Sequence, residues 1–112
     1  MKRGEIYYAD LNPAQGREMA KRRPVLIVSN NINNKVSLTL TILPITSNID
    51  RIYPFEIFLP ATISGLPKDS KAMAQQIRTI SKTRIIGKAT GAINTQLLND
   101  VNAAIKLHLA LV

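Results

Sequence analysis

The segment Ser37–Ser47 (SLTLTILPITS) constrains the fold most, because Leu, Thr and Ile alternate along it with a period of two. Successive side chains of a β-strand point to opposite faces of its sheet, so this alternation predicts a half-buried strand. Pro44 has no backbone N–H to donate, which predicts a sheet edge or a bulge at that point. The chain is therefore expected to build its fold on a sheet.

Five further segments have the composition of strands. They are Glu5–Leu11, Pro24–Ser29, Phe55–Leu59, Lys71–Ile80, whose residues would suit a helix equally well, and a short strand within Lys82–Ala92. Pro24 is expected at the first position of its strand, where a missing N–H is tolerated. A long polar loop, Leu11–Arg23, separates the first two segments, and the asparagine-rich run Asn30–Asn34 predicts a turn.

The last part of the chain has a helical period. Asn94 is a good N-cap, and the residues after it predict a C-terminal amphipathic helix of roughly four turns. The residues at helical spacing are Leu97, Leu98, Val101, Ala104, Ile105, His108 and Leu109. Short strands followed by one helix predict a mainly β, α+β fold, a small twisted β-barrel or sheet with the helix laid against it. At 112 residues, the chain is expected to form one domain, 1–112.

The net charge indicates the class of partner. Fifteen Lys and Arg face seven Asp and Glu, which gives a formal charge of +8. This excess points to nucleic acid, an anionic membrane surface or an acidic protein. The opening MKRGEIYYADL has no apolar run of the signal-peptide type, and no apolar run approaches the roughly 20 residues of a spanning helix. A soluble, cytoplasmic protein with no membrane association is expected.

The available residue types exclude several chemistries. The chain has no cysteine and one histidine, His108, which lies among leucines and is expected to be structural. Asp50, Glu56 and Asp69 are not spaced as ligands of a two-metal nuclease, and neither a P-loop nor a dinucleotide-binding motif occurs. No metal or other cofactor is therefore predicted. The polar groups that remain, those of Arg, Thr, Ser, Glu and Gln, can still cleave RNA, because the 2′-OH is an internal nucleophile and arginine stabilises charge on phosphoryl oxygens.

Five segments, in this order along the chain, resemble the PemK/MazF family of toxin endoribonucleases: MKRGEIYYADLNP, GREMAKRRPVLIVSN, LPITS, YPFEI and QQIRTI. The resemblance covers essentially the whole chain. It implies an SH3-like twisted β-barrel of the PemK/MazF and CcdB type that works as a homodimer. It also implies metal-independent, sequence-selective cleavage of single-stranded RNA that leaves a 2′,3′-cyclic phosphate and a 5′-hydroxyl. The implied protein partner is an acidic cognate antitoxin.

The resemblance assigns candidate catalytic residues. Arg23, in the step R-P-V-L-I, matches the family's catalytic arginine. Thr46, in P-I-T-S, matches its catalytic threonine, with Ser47 beside it. Glu18, in G-R-E-M-A, matches the acidic residue of a loop that borders the active site and the RNA. The resemblance thus implies that the loop and two strand ends share one site.

The resemblance also has departures. Gln75 and Gln76 match a position just before the segment I-R-T-I where relatives often carry an acid followed by Gln, and Arg78 lies within that segment. Because Gln75 replaces the acid, no general base is assigned. The loop Gly16–Lys21 reads G-R-E-M-A-K where the family loop commonly reads G-S-E-Q-x-G, which bears on base recognition and loop motion.

Three more residues are interpreted from their chemistry. Lys21 and Arg22 are expected to position phosphates, and Tyr53 is expected either to stack on a base or to pack as an aromatic beside a strand.

Two alternatives to a ribonuclease stay open. One is a non-catalytic toxin on the same fold that binds and poisons a protein target such as gyrase. The other is a plain basic nucleic-acid-binding module, which predicts steep salt dependence without strand scission.

Overall fold

Residues 1–111, which the computed structural model describes, form a sheet with short helices between its strands and one longer helix at the end. The strands are β1 (Glu5–Asp10), β2 (Arg22–Ile27), β3 (Thr39–Thr46), β4 (Glu56–Leu59), β5 (Ser70–Met73), β6 (Arg78–Ser81) and β7 (Ile85–Ala92). The α-helices are α1 (Asn31–Val36), α2 (Ala61–Ser64) and α3 (Thr95–His108), and short 3₁₀ helices cover Ala74–Gln76 and Lys82–Arg84. The predicted fold class, mainly β with a C-terminal helix, is confirmed.

The sheet is antiparallel and centred on β3. Its hydrogen-bonded order is β4–β5–β3–β2–β1–β7, and β6 also pairs with β3. One edge of β3 faces β2, where Leu43 lies opposite Leu26, and the other edge faces β6 and then β5. Since β4 and β7 lie at the two ends of this order, the sheet is open within residues 1–111.

The predicted strand Lys71–Ile80 is wrong in its middle, because the 3₁₀ helix Ala74–Gln76 divides it into β5 and β6. Ile42 of β3 lies opposite Arg78, and Ile45 lies opposite Ala72. Three residue intervals along β3 therefore correspond to six along the segment 72–78, so the extra residues of that segment bulge out of the pairing. The carbonyl of Thr41 accepts a hydrogen bond from the amide of Val28, just after β2. Because backbone polar groups of successive strand residues point to alternate sides, the nitrogen of Pro44 points to the other side, toward the 3₁₀ helix. A proline there offers no N–H, which explains why the bulge forms opposite it.

Two other local predictions are corrected. The asparagine-rich run is not a turn but the start of α1, because the side chain of Asn30 caps the helix by accepting from the amide of Asn33 at 2.8 Å. Strand β2 begins at Arg22, two residues earlier than predicted, so Pro24 is its third residue and lies opposite Tyr8. Arg22 and Arg23 therefore belong to the strand and are fixed by its pairing with β1.

The core occupies both faces of the sheet. One cluster contains Leu26, Leu43 and Ile45 and packs under Val101 and Ala104 of α3. A second cluster is formed by side chains that point to the opposite face of the sheet. Its members are Tyr7, Ala9, Leu11, Val25, Ile27, Leu40, Ile42 and Ile80. The prediction that β3 is half-buried therefore fails for residues 42–45, all of which are buried.

The C-terminal helix follows its prediction. Asn94 is its N-cap, and the Asn94 side chain accepts from the amide of Leu97 at 2.9 Å. The helix has 14 residues, which is close to the expected four turns. No helix in residues 1–111 is both long and apolar enough to cross a membrane.

Candidate active site

Arg23 is held in place by both its backbone and its side chain. It lies in β2 opposite Ala9 of β1, and Pro24 after it restricts the local backbone. The side chain is half-buried, and its Nε donates to the carbonyl of Ala20 at 3.0 Å. That bond fixes the guanidinium plane without using the two terminal amino groups, which are the donors that can grip a phosphate side by side.

Thr46 is the last residue of β3, and Ser47 follows it at the surface. The Thr46 hydroxyl oxygen accepts from the amide of Asn48 at 3.2 Å. A threonine hydroxyl has one O–H to donate, and this bond engages only the oxygen. The hydroxyl hydrogen is therefore available to a ligand oxygen.

One cleft of about 280 Å³ brings Arg22, Arg23, Thr46 and Ser47 together. Its other lining residues are Tyr8, Pro24, Ile45, Leu66, Pro67, Lys68 and Ser70. Among the described residues that line it, three are cations and none is acidic. Cations in a concave site attract an anion and hold it close to the hydroxyl groups. The cleft can therefore bind a phosphate with Arg23 and Thr46 on it.

The loop residues Glu18 and Lys21 do not line this cleft. The Glu18 carboxylate accepts from the amide of Gln15 at 2.6 Å, so it closes a turn within its own loop. Lys21 has a φ of 69°, a left-handed conformation that costs a non-glycine residue energy. Its amide donates to the Asn12 side chain, and its carbonyl accepts from the amide of Leu11 at 2.9 Å. Lys21 thus closes the base of the loop just before β2.

The segment 75–78 lies outside the cleft as well, and two of its side chains hold the same loop. Gln76 Nε2 donates to the carbonyl of Arg17 at 3.4 Å. Arg78 donates to the carbonyl of Leu11 at 3.5 Å. The contacts of Gln76 and Arg78 are thus with loop backbone.

Gln75 belongs to a buried charged network that the sequence did not predict. Its Nε2 donates to Glu56 Oε2 at 2.6 Å, while Lys71 Nζ donates to Glu56 Oε1 at 2.9 Å. The amide of Tyr53 also donates to Glu56 Oε1, and Lys71 donates to the carbonyl of Arg51 at 2.6 Å. Burial favours a raised pKa for Glu56, but these donors outweigh it and hold the pKa of the carboxyl below its usual value.

Tyr53 is exposed and packs against protein on one side. Its ring stacks on Phe55 with centroids 5.5 Å apart, and the Arg51 guanidinium lies 5.7 Å from the ring centroid. The tilted ring of His108 lies 6.2 Å from Phe55. Tyr53 therefore has the packing role that was one of its two predicted roles, and its exposed position leaves base stacking as a proposal.

Sequence reasoning missed several residues of this region. Tyr8 of β1, Ser70 of β5 and Lys68, which lies just before β5, line the cleft but are far apart in sequence and meet only in the folded sheet. A signal for the network was present, since the charged residue Glu56 lies inside the predicted strand Phe55–Leu59 and Lys71 begins the predicted strand Lys71–Ile80. What the sequence lacked was the pairing that joins them. Within residues 1–111, no three His, Cys, Asp or Glu side chains gather as a metal site.

Comparison with known families gives a match over nearly the whole chain. Residues 2–109 match the family described as PemK-like, MazF-like toxin of type II toxin–antitoxin system. The chain is 42% identical to Endoribonuclease MazF9 of Mycobacterium tuberculosis, over 99% of this chain and 98% of that protein. It is 36% identical to Endoribonuclease EndoA of Bacillus subtilis, over 100% of this chain and 97% of that protein.

Solved structures match the fold. An endoribonuclease in complex with its cognate antitoxin, from a mycobacterial species, superposes with a TM-score of 0.82 at 25% identity, over 100% of this chain and 97% of that chain. MazF from Deinococcus radiodurans superposes with a TM-score of 0.84 at 24% identity, over 98% of this chain and 96% of that chain. The second likeness is one of fold alone.

Proposed function

The chain belongs to the PemK/MazF-like toxin family of type II toxin–antitoxin systems, and we propose that it is an endoribonuclease that cleaves single-stranded RNA. The observation that supports this most is the cationic cleft that holds Arg23 and Thr46 together. The relatives named above are endoribonucleases at 36–42% identity over the full chain. They give no support to the alternative of a toxin that poisons a protein target.

The proposed reaction is an internal displacement at phosphorus. The 2′-oxygen loses its proton and forms a bond to phosphorus, and the bond from phosphorus to the 5′-oxygen breaks. The 5′-oxygen takes up a proton, so the products are a 2′,3′-cyclic phosphate and a 5′-hydroxyl. Because the nucleophile is already part of the substrate, the enzyme's main task is to orient it and stabilise charge.

Arg23 and Thr46 have separate roles in this proposal. The planar guanidinium of Arg23, fixed by its bond to Ala20, stabilises the negative charge that grows on the phosphoryl oxygens. Thr46 donates its hydroxyl hydrogen to one of those oxygens. Arg22 and Lys68 contribute positive charge to the same cleft and hold the strand by its phosphates. Lys21, Glu18 and Ser47 are proposed to contact flanking RNA.

We propose that the reaction needs no metal ion, because the cleft supplies three cations to the phosphate from its own side chains. The experiment that tests the proposed function is digestion of a long single-stranded RNA of varied sequence in the presence of EDTA. Fragments with a 5′-hydroxyl and a cyclic phosphate at a recurring sequence are expected. RNA that stays intact in EDTA and in added magnesium would contradict the function, and cleavage only with magnesium would contradict the metal independence.

An acidic antitoxin is the proposed protein partner. The chain carries a formal charge of +8, which attracts an acidic chain as well as RNA. The mycobacterial endoribonuclease to which this chain is 25% identical was solved in complex with its cognate antitoxin. We propose that this chain likewise has such a partner and that both toxin and partner act in the cytoplasm, where messenger RNA is present.

The exposed apolar surface formed by α1 and by Leu38, two residues after it, is the proposed contact of a homodimer. Ile32, Val36 and Leu38 are 78%, 74% and 83% exposed, respectively, and large apolar side chains clustered at a surface mark an interface. Leu38→Glu is expected to give a folded monomer in sedimentation velocity experiments in which the parent sediments as a dimer. The matched control is Leu107→Glu on α3, whose side chain is also exposed. A Leu38→Glu protein that stays dimeric would contradict this face.

A further inference from the structure

The network of Glu56, Lys71 and Gln75 contacts the loop that leaves the cleft. This loop, residues 47–55, joins β3 to β4. We propose that the network is a positioning device for cleavage: it holds the loop and thereby fixes the Thr46–Ser47 end of β3. The inference rests on the proposed ribonuclease function for its consequence on rate, and on geometry alone for the anchoring itself.

The strand register places the network directly beside Thr46. Lys71 of β5 lies opposite Thr46 of β3, and Glu56 of β4 lies opposite Met73 of β5. Paired residues of antiparallel strands have their side chains on one face of the sheet. A shift of Lys71 is therefore transmitted to Thr46 through a single pair of strands.

Two hydrogen bonds tie the network to the loop backbone. Lys71 Nζ donates to the carbonyl of Arg51 at 2.6 Å, and Glu56 Oε1 accepts from the amide of Tyr53 at 2.9 Å. At the start of the loop, the amide of Asn48 donates to Thr46 Oγ1 at 3.2 Å. The loop is thus fixed at its beginning by Thr46 and near its end by the ion pair. If the loop moves at Arg51 and Tyr53, the direction of the hydrogen bond from Asn48 to the Thr46 hydroxyl also changes.

The burial of the ion pair makes these anchors stiff. The Lys71 and Glu56 side chains are only 11% and 2% exposed, respectively, and hydrogen bonds to charges are strong where water is excluded. A well-packed apolar pair would stabilise the fold as well as a buried ion pair does. Gln75 Oε1 is buried without a partner among the described residues. The network thus supplies donors to the Glu56 carboxylate and anchors the loop, although it leaves one of its own polar atoms without a partner.

Two variants separate positioning from stability. Lys71→Met removes the anchor on Arg51 and leaves the Glu56 charge buried without its cation. The double variant Glu56→Gln/Lys71→Met removes both charges, so it is expected to regain most of the lost stability while the Arg51 anchor stays absent. The matched control is Lys88→Met, an exposed position of β7, because it removes the same charge from the protein without contact to the network.

Each variant is compared with the parent in hydrogen exchange and in steady-state cleavage of a short RNA, at a temperature at which circular dichroism shows all four proteins folded. In both network variants, the amides of residues 48–53 are expected to exchange at least about tenfold faster. Their kcat is expected to fall about 10- to 100-fold, because displacement by an ångström costs rates of that order. KM is expected to change less than about threefold, and Lys88→Met to match the parent in exchange and kcat.

A double variant whose kcat recovers together with its stability would overturn the inference, since the network would then only stabilise the fold. Unchanged exchange of residues 48–53 in Lys71→Met would overturn the anchoring. The proposed function fails separately, if the parent protein leaves the RNA intact. In that case the exchange measurement still decides whether the network holds the loop.

Discussion

Replacing Arg23 by lysine is expected to lower kcat for RNA cleavage about 100- to 1000-fold, the loss that follows removal of one donor to a developing oxyanion. Lysine keeps the positive charge but not the planar pair of amino groups that can hold two phosphoryl oxygens at once. The bond from Arg23 Nε to Ala20 is also lost, so the cation is no longer held in one orientation. The measurement is steady-state cleavage of a short RNA that contains one cut site.

Arg22→Lys is the matched control, because Arg22 is the neighbouring arginine and lines the same cleft. It is expected to change kcat less than about threefold, since a phosphate contact that only positions the strand needs charge and not a guanidinium plane. An Arg23→Lys protein that keeps more than about a tenth of the parent kcat would contradict the role of Arg23. An equal loss in both variants would show that the cleft uses arginines without distinction.

Replacing Lys71 by methionine is expected to lower the free energy of unfolding at neutral pH by about 3–5 kcal/mol, the usual result of removing one partner from a buried ion pair. Glu56 would then be buried as an ion with only the Tyr53 amide and Gln75 as donors. Urea unfolding of Lys71→Met beside Lys88→Met measures the loss, because the second variant removes an exposed charge. A loss below about 1 kcal/mol in Lys71→Met would contradict the energetic importance of the pair.

The same pair predicts a pH dependence. The pKa of Glu56 lies below its usual value of 4.5 in the folded protein, so its contribution to stability is complete above that value and is lost as the pH falls through the folded pKa. In Lys71→Met the carboxyl loses its cation and burial favours the neutral form. The difference in unfolding free energy between the parent and Lys71→Met is therefore expected to narrow as the pH falls, from the pH at which Glu56 of the variant takes up a proton down to the lowered pKa of Glu56 in the parent. A difference that widens on acidification would contradict this assignment.

The fold was predictable where the pattern of the sequence is local. The N-cap residue Asn94 predicts the start of α3, and the helical spacing of apolar residues predicts its buried face. The strands were predictable from their runs of β-forming residues. The break at Ala74–Gln76 was not predictable in this way, because its cause is Pro44 on a different strand. The first residues of β2 were missed since Arg22 and Arg23 have the polarity of a loop and are strand residues only through their pairing with β1.

The same distinction applies to the candidate site. Arg23 and Thr46 are parts of continuous motifs, so their resemblance to a family was visible before the cleft that joins them. The ion pair of Glu56 and Lys71 joins residues on two strands, and no local pattern links a charge in one strand to a charge in another. Gln75 shows what a local motif does not predict. From the motif it was interpreted as the replacement for an acid, whereas in the structure its side-chain amide donates to Glu56.

The central claim is that the cleft of Arg23 and Thr46 cleaves RNA by attack of the substrate's own 2′-OH. The most direct test is a pair of oligonucleotides that differ only at the cut site, one with the ribose 2′-OH and one with 2′-deoxyribose there, both incubated in EDTA with the parent protein. The ribose oligonucleotide is expected to be cut to a cyclic phosphate and a 5′-hydroxyl, and its deoxy counterpart to stay intact while it still binds. Cleavage of the deoxy oligonucleotide at the same position would contradict the mechanism.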